Sequence, residues 1–185
     1  DYESVPIVAS SRAQTWSSHS VLASGEWYKI AVMQDGVHRI TRDDLEALGV
    51  NVEGLDPRTI GLYGNGGGMV PEKNDAFRYD DLQENAIQVV GESDGSFDAN
   101  DEIRFYGQGP HRWAEDTTSC LRFNHTTHLY STKTYYFIKV GSGQGRRLGN
   151  QGSSDLGVSN TVTTFDDYAF HEAEELNLLK SGRDW

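Results

Sequence analysis

The chain has 185 residues, 36% of them hydrophobic and 11% aromatic, and a formal net charge of −12. That is enough apolar material for a real core and excludes a disordered chain, while twenty glycines signal many turns. The acidity works against phosphate backbones, so nucleic acid is not an expected partner, and no apolar run approaches the roughly 18 residues of a membrane span.

Cys120 is the only cysteine, so an internal disulfide is impossible. The chain begins at Asp1 without a methionine or a visible signal peptide and reads as a piece of something longer. An acidic surface suits an extracellular protein or one that recruits cations.

Residues 1–20 are polar and serine-rich and read as a loose arm or an edge strand. From Glu26 the texture changes. "EWYKIAV" is a β-branched and aromatic run, and "DGVHRIT" follows a turn signal at Asp35-Gly36, so the pair is expected to form a hairpin. "TRDDLEALG" is the clearest helix. Thr41 can cap it, Asp43 and Asp44 suit its positive end, Leu45 and Leu48 share a face, and Gly49 suits its stop. Strand-like runs recur at 59–64, 86–91, 102–107, 134–140 and 160–170, separated by Gly, Asn and Asp clusters. The pattern predicts a mainly β fold, an antiparallel β-sandwich or jelly roll with one or two short helices. Residues 21–170 are expected to form the β-rich body and 171–185 a helical exit segment. The stretch 141–155 reads as a long flexible loop.

"GESDGSFDANDEIRFYG" (91–107) raises the question of calcium. An EF-hand loop needs carboxylates at alternate positions, a glycine at the sixth and an acid at the twelfth. Registers starting at Asp94 or Asp98 put Ala99 or Ile103 where the glycine belongs. One partial register places Glu92, Asp94, Gly95, Asp98 and Asp101 correctly, with Val90 where the first ligand should be. Glu92, Asp94, Asp98 and Asp101 are therefore candidate calcium ligands, and the competing reading is a plain hairpin turn. No apolar neighbour marks these carboxylates as an acid–base pair.

Cys120, His125 and His128 form C-x4-H-x2-H with His111 upstream, a set zinc could use, although a strand would turn the two histidines to opposite faces. Surface or structural histidines are the competing reading. The context of Cys120, "TTSCLRF", has no nucleophile signature, and a bystander thiol is the better account. "GNGGG" (64–68) lacks the Lys-Ser/Thr ending of a phosphate loop and is followed by Pro71, so it reads as a glycine-rich turn.

Taken together, "SGEWYKIAV", "DGVHRIT", "LDPRTIGLYGNGGGMVPE", "DDLQENAIQVVGESDGSFDANDEIRFYGQGPHRW", "HLYSTKTYYF" and "HEAEELNLLKSGRDW" resemble the N-terminal region of the PorU-type sortases. These are gingipain-related cysteine peptidases of the type IX secretion system, and the resemblance runs from about Val21 to Trp185. It implies a parent enzyme at the outer membrane of a Gram-negative bacterium, facing outward. The parent removes the sorting signal from secreted cargo and helps join that cargo to surface lipopolysaccharide. Its catalytic Cys-His pair would lie in a downstream domain, so no catalytic residue is carried onto this chain. Related gingipains have a β-rich prodomain that assists folding and blocks the active site. The resemblance thus implies a non-catalytic module whose partners are its own peptidase domain, the secretion machinery and the cargo.

Arg146 and Arg147 could plug a basic-specific pocket in such a peptidase, against the simpler reading of two exposed arginines that keep a loop soluble. The alternative function is a free-standing adhesive or carbohydrate-binding module. Trp113, beside Gly109-Pro110, would be its platform unless it is a core residue.

Overall fold

Strand β1 (Glu26–Val32) carries its apolar groups on alternate positions, and Val32 is buried. The computed structural model describes residues 16–115, 123–141, 143–152, 160–164 and 169–171. Strand β2 (Gly36–Thr41) runs directly into helix α1 (Arg42–Ala47). Thr41 and Asp44 form a reciprocal capping box: the Asp44 amide donates to Thr41 Oγ1 at 3.3 Å and the Thr41 amide to Asp44 Oδ2 at 2.8 Å. Such caps contribute about 1 kcal/mol. Leu45 is driven into the core, and Gly49 leaves the helix at φ +90°.

The remaining strands are β3 (Gly61–Tyr63), β4 (Glu84–Asn85), β5 (Gln88–Val90), β6 (Glu102–Gly107), β7 (Arg112–Glu115), β8 (Phe123–Thr126) and β9 (Thr134–Val140). They form a four-stranded sheet in the order β1-β9-β3-β4, a three-stranded sheet β2-β6-β5 and a β7-β8 ribbon. All strand pairs are antiparallel. One buried cluster draws Val32, Leu62, Tyr136 and Ile138 from the first sheet and Ile40, Val89, Ile103 and Phe105 from the second. The fold is mainly β, as expected, with two sheets facing each other across a common core.

The expected hairpin does not form. β1 pairs along its length with β9, from Glu26 opposite Val140 to Val32 opposite Thr134, whereas β2 pairs with β6. The Asp35-Gly36 turn carries the chain from one sheet to the other, and Asp35 Oδ1 accepts the Gly109 amide at 2.6 Å. Each strand finds a partner of its own length in its own layer, and both inner faces stay buried.

The polar runs "RWAE" and "FNHT" form β7 and β8, which strand propensity did not flag. Asn160–Thr164 and Phe170 lie outside any strand, and 165–168 fall outside the described residues. The same holds for 1–15 of the arm and for the exit segment past His171; Trp16–Ser20 are exposed and not in a strand. Among the described residues no helix is long and apolar enough to cross a membrane.

Candidate functional site

The acidic stretch folds as a tight turn. Gly91 and Gly95, at φ +92° and +80°, bracket a 3-10 turn over Glu92–Asp94, and a side chain at Gly91 would collide with the Asp101 carboxylate. Asp94 Oδ1 accepts the Ser96 amide at 3.0 Å, and Asp98 Oδ1 accepts the Ser96 hydroxyl at 3.1 Å. Asp101, almost fully buried, accepts the Asp98 amide at 2.7 Å. These carboxylates are thus turned onto their own backbone. Glu92 faces away and accepts Arg147 Nε at 2.7 Å. Among the described residues no three carboxylate, imidazole or thiol side chains converge on a point that a metal ion could occupy.

Arg147 is the centre of a clasp. Besides Glu92 its guanidinium donates to the carbonyls of Pro57 at 2.8 Å and Ile60 at 3.0 Å, and its side chain is only 17% exposed. The backbone beside it is pinned too: the Ile87 amide donates to Arg146 O at 3.1 Å and the Leu148 amide to Ile87 O at 2.9 Å. The described part of the expected flexible loop is therefore tied down at 145–148. Arg146 remains exposed, with its amide on Glu84 Oε1 at 2.8 Å. The two arginines, equivalent in the sequence, have different tasks.

Trp113 sits half-buried in the β7-β8 ribbon, paired in register with His125, their rings 4.6 Å apart. Phe170 stacks on His125 at 3.9 Å and His111 lies 5.8 Å from it. This aromatic patch borders a cavity of about 410 Å³ that also touches Met33 and Asp35. Two members of the possible zinc set, His111 and His125, thus come together. His128 instead uses Nδ1 to accept the amides of Tyr130 and Ser131, and its own amide donates to His111 Nδ1. Cys120 lies outside the described residues.

A second cavity, of about 400 Å³, went unmarked in the sequence apart from its glycines. The "GNGGG" turn forms one wall. Its Gly64 packs against Tyr136, where a side chain would come within 2.5 Å of the ring, and Gly66 (φ +77°) leaves room for the Gln108 side chain. Asn65, Gln83, Asn85 and Gln108 line it with Tyr79 and Tyr106, and none of the described residues that line it is charged. Tyr136 is buried beneath, and burial raises its pKa; its hydroxyl accepts the Gln108 amide at 2.9 Å.

No family model matches the chain, and no curated protein matches it either. Among solved structures, the crystal structure of dimeric latent PorU from Porphyromonas gingivalis matches with a TM-score of 0.52 and 32% sequence identity. The chain is similar to PorU. The match covers 72% of this chain and 11% of the PorU chain, so it concerns a small part of that protein. At this identity the PorU likeness extends beyond fold to sequence, and it agrees with the family that the quoted stretches resemble.

Proposed function

We propose that the chain is a non-catalytic, prodomain-like module of a PorU-type sortase, held at the cell surface and acting on the peptidase domain of its own parent. The observation that carries this reading is the 32% identity to latent PorU over 72% of the chain, at 11% of PorU's length. A module of that kind needs a folded body rather than reactive side chains, and three of its carboxylates are engaged in backbone hydrogen bonds. Asp44 is held below the usual carboxylate range by the Thr41 amide, Asp56 by the Arg58 guanidinium, and Asp81 chiefly by the Val21 amide. All three are caps and turns. Cargo and secretion machinery are then partners of the parent enzyme. Of the two loop arginines, Arg146 is the one exposed for contact with the peptidase domain.

Adding the 185-residue chain in trans to the refolding peptidase domain of its parent tests this. The expected result is a higher refolding yield, together with saturable loss of cleavage of a fluorogenic peptide. Unchanged yield and unchanged activity would overturn the proposal.

In this reading the acidic turn works without calcium, because its carboxylates already accept backbone and side-chain donors. Titrating calcium to about 5 mM is expected to leave the thermal midpoint within about 1 °C, since a ligand stabilises only by binding the folded state. A rise of several degrees that Asp94→Asn and Asp98→Asn abolish would instead assign calcium to the turn of Glu92, Asp94, Asp98 and Asp101.

A further inference from the structure

We infer that the cavity behind the "GNGGG" turn is a binding site for a neutral carbohydrate. The case starts from what lines it. In a chain of net charge −12, none of the described residues lining it is charged, although Arg112 packs against the Gly66–Gly68 turn, and the lining has four carboxamides and two accessible tyrosines. Such a wall does not attract phosphate or carboxylate ligands, and its donors and acceptors suit a ligand that is both at every position.

The carboxamides divide into those that build the wall and those that face it. Asn65 is spent: its nitrogen donates to Asp81 O at 3.2 Å and its oxygen accepts the Gln83 amide at 2.9 Å. Asn85 uses its nitrogen on the carbonyls of Gly64 and Gln83, and Gln83 uses its own on Asp81 O, which leaves both side-chain oxygens as acceptors. Gln108 is different. Its half-buried carboxamide lies against Gly66 and makes no hydrogen bond to any described residue. Its carboxamide atoms are open to solvent, so a ligand that displaces water from them can take up their hydrogen bonds.

The rim supplies the apolar contact. Tyr79 is 52% exposed and Tyr106 59%, and the exposed Phe77 packs edge-on against Tyr79 at 5.1 Å beside the mouth. Aromatic faces beside carboxamides fit a sugar ring, whose C–H face stacks while its hydroxyls bond. The site does not depend on the module acting on a peptidase, and it is distinct from the Trp113 patch.

The test is calorimetric titration of the 185-residue chain with uncharged hexasaccharides of glucose, mannose, galactose and N-acetylglucosamine, with a neutral hexapeptide of alanine and glycine as the rival. Saturable binding of at least one sugar is expected below about 1 mM, weakened about tenfold or more by Tyr79→Ala and by Gln108→Leu. Tyr79 is exposed, so Tyr79→Ala is expected to keep the parent's thermal midpoint, and Trp113→Ala to keep its sugar affinity. No sugar bound at about 10 mM, binding unchanged in both cavity variants, or binding of the peptide instead would each overturn the inference.

Discussion

Phe97→Ala is expected to lower the thermal midpoint by roughly 10 °C, the consequence of losing about 3–5 kcal/mol in a domain of this size. Phe97 lies within the acidic stretch, yet it is fully buried and belongs to the same cluster as Leu45, Ile103 and Tyr136. Its backbone is anchored independently of its ring. The amide donates to Leu55 O at 3.0 Å and the carbonyl accepts Arg42 Nη1 at 2.8 Å. Truncation therefore leaves the turn's bonds in place and removes ring packing, leaving a cavity that the anchored backbone cannot collapse to fill. Thermal unfolding followed by circular dichroism measures it, with Val37→Ala on the exposed face of β2 as a control expected within about 0.5 kcal/mol. A Phe97→Ala midpoint within about 3 °C of the parent would mean that the turn does not plug the core.

That turn also marks where sequence reading stops. The runs "EWYKIAV", "EIRFYG" and "TYYFIKV" were legible as β1, β6 and β9 because β-branched and aromatic residues report a pleated, half-buried surface. The helix was legible because Thr41 and Asp44 are local signals. Pairing was not. The Asp35-Gly36 signal is local and correctly marks a turn, but the partner of β1 is β9, whose choice depends on which layer needs filling. The candidate sites divide in the same way. The acidic residues were legible as turn formers. Arg147 was not legible as a clasp, because two of its acceptors are backbone carbonyls of Pro57 and Ile60, which no side-chain pattern announces. Gln108 and Tyr79 were equally silent, since a lone amide and a lone tyrosine have no periodicity, and only the fold brings them to one cavity.

Arg147→Ala is expected to cost about 2–4 kcal/mol, whereas Arg146→Ala next to it costs at most about 0.5 kcal/mol. Arg147 joins Glu92 of the acidic turn to the 3-10 turn over Pro57–Thr59 and to the entry of β3. Removing it leaves a half-buried carboxylate without its cation and the carbonyl of the buried Ile60 without its donor, while the Pro57 carbonyl keeps only the Ile60 amide, at 3.1 Å. An unmet buried acceptor costs more than a made hydrogen bond contributes, so the loss exceeds that of an exposed ion pair. Arg147→Lys is expected to recover less than half of it, because a single ammonium cannot reach three acceptors held in a planar fork. In denaturant unfolding the Arg147→Ala and Glu92→Ala changes should be non-additive, since each removes the same contact. Additive losses, or equal losses at Arg146 and Arg147, would sink the clasp. The difference between the two arginines also bears on regulation. For Arg147 to enter a peptidase pocket, it would have to release Glu92 and the Pro57 and Ile60 carbonyls first, at the cost just given. Arg146 holds its place through its backbone amide and a long 3.4 Å side-chain bond to Glu84 O, so its guanidinium can reach a partner while the clasp stays closed.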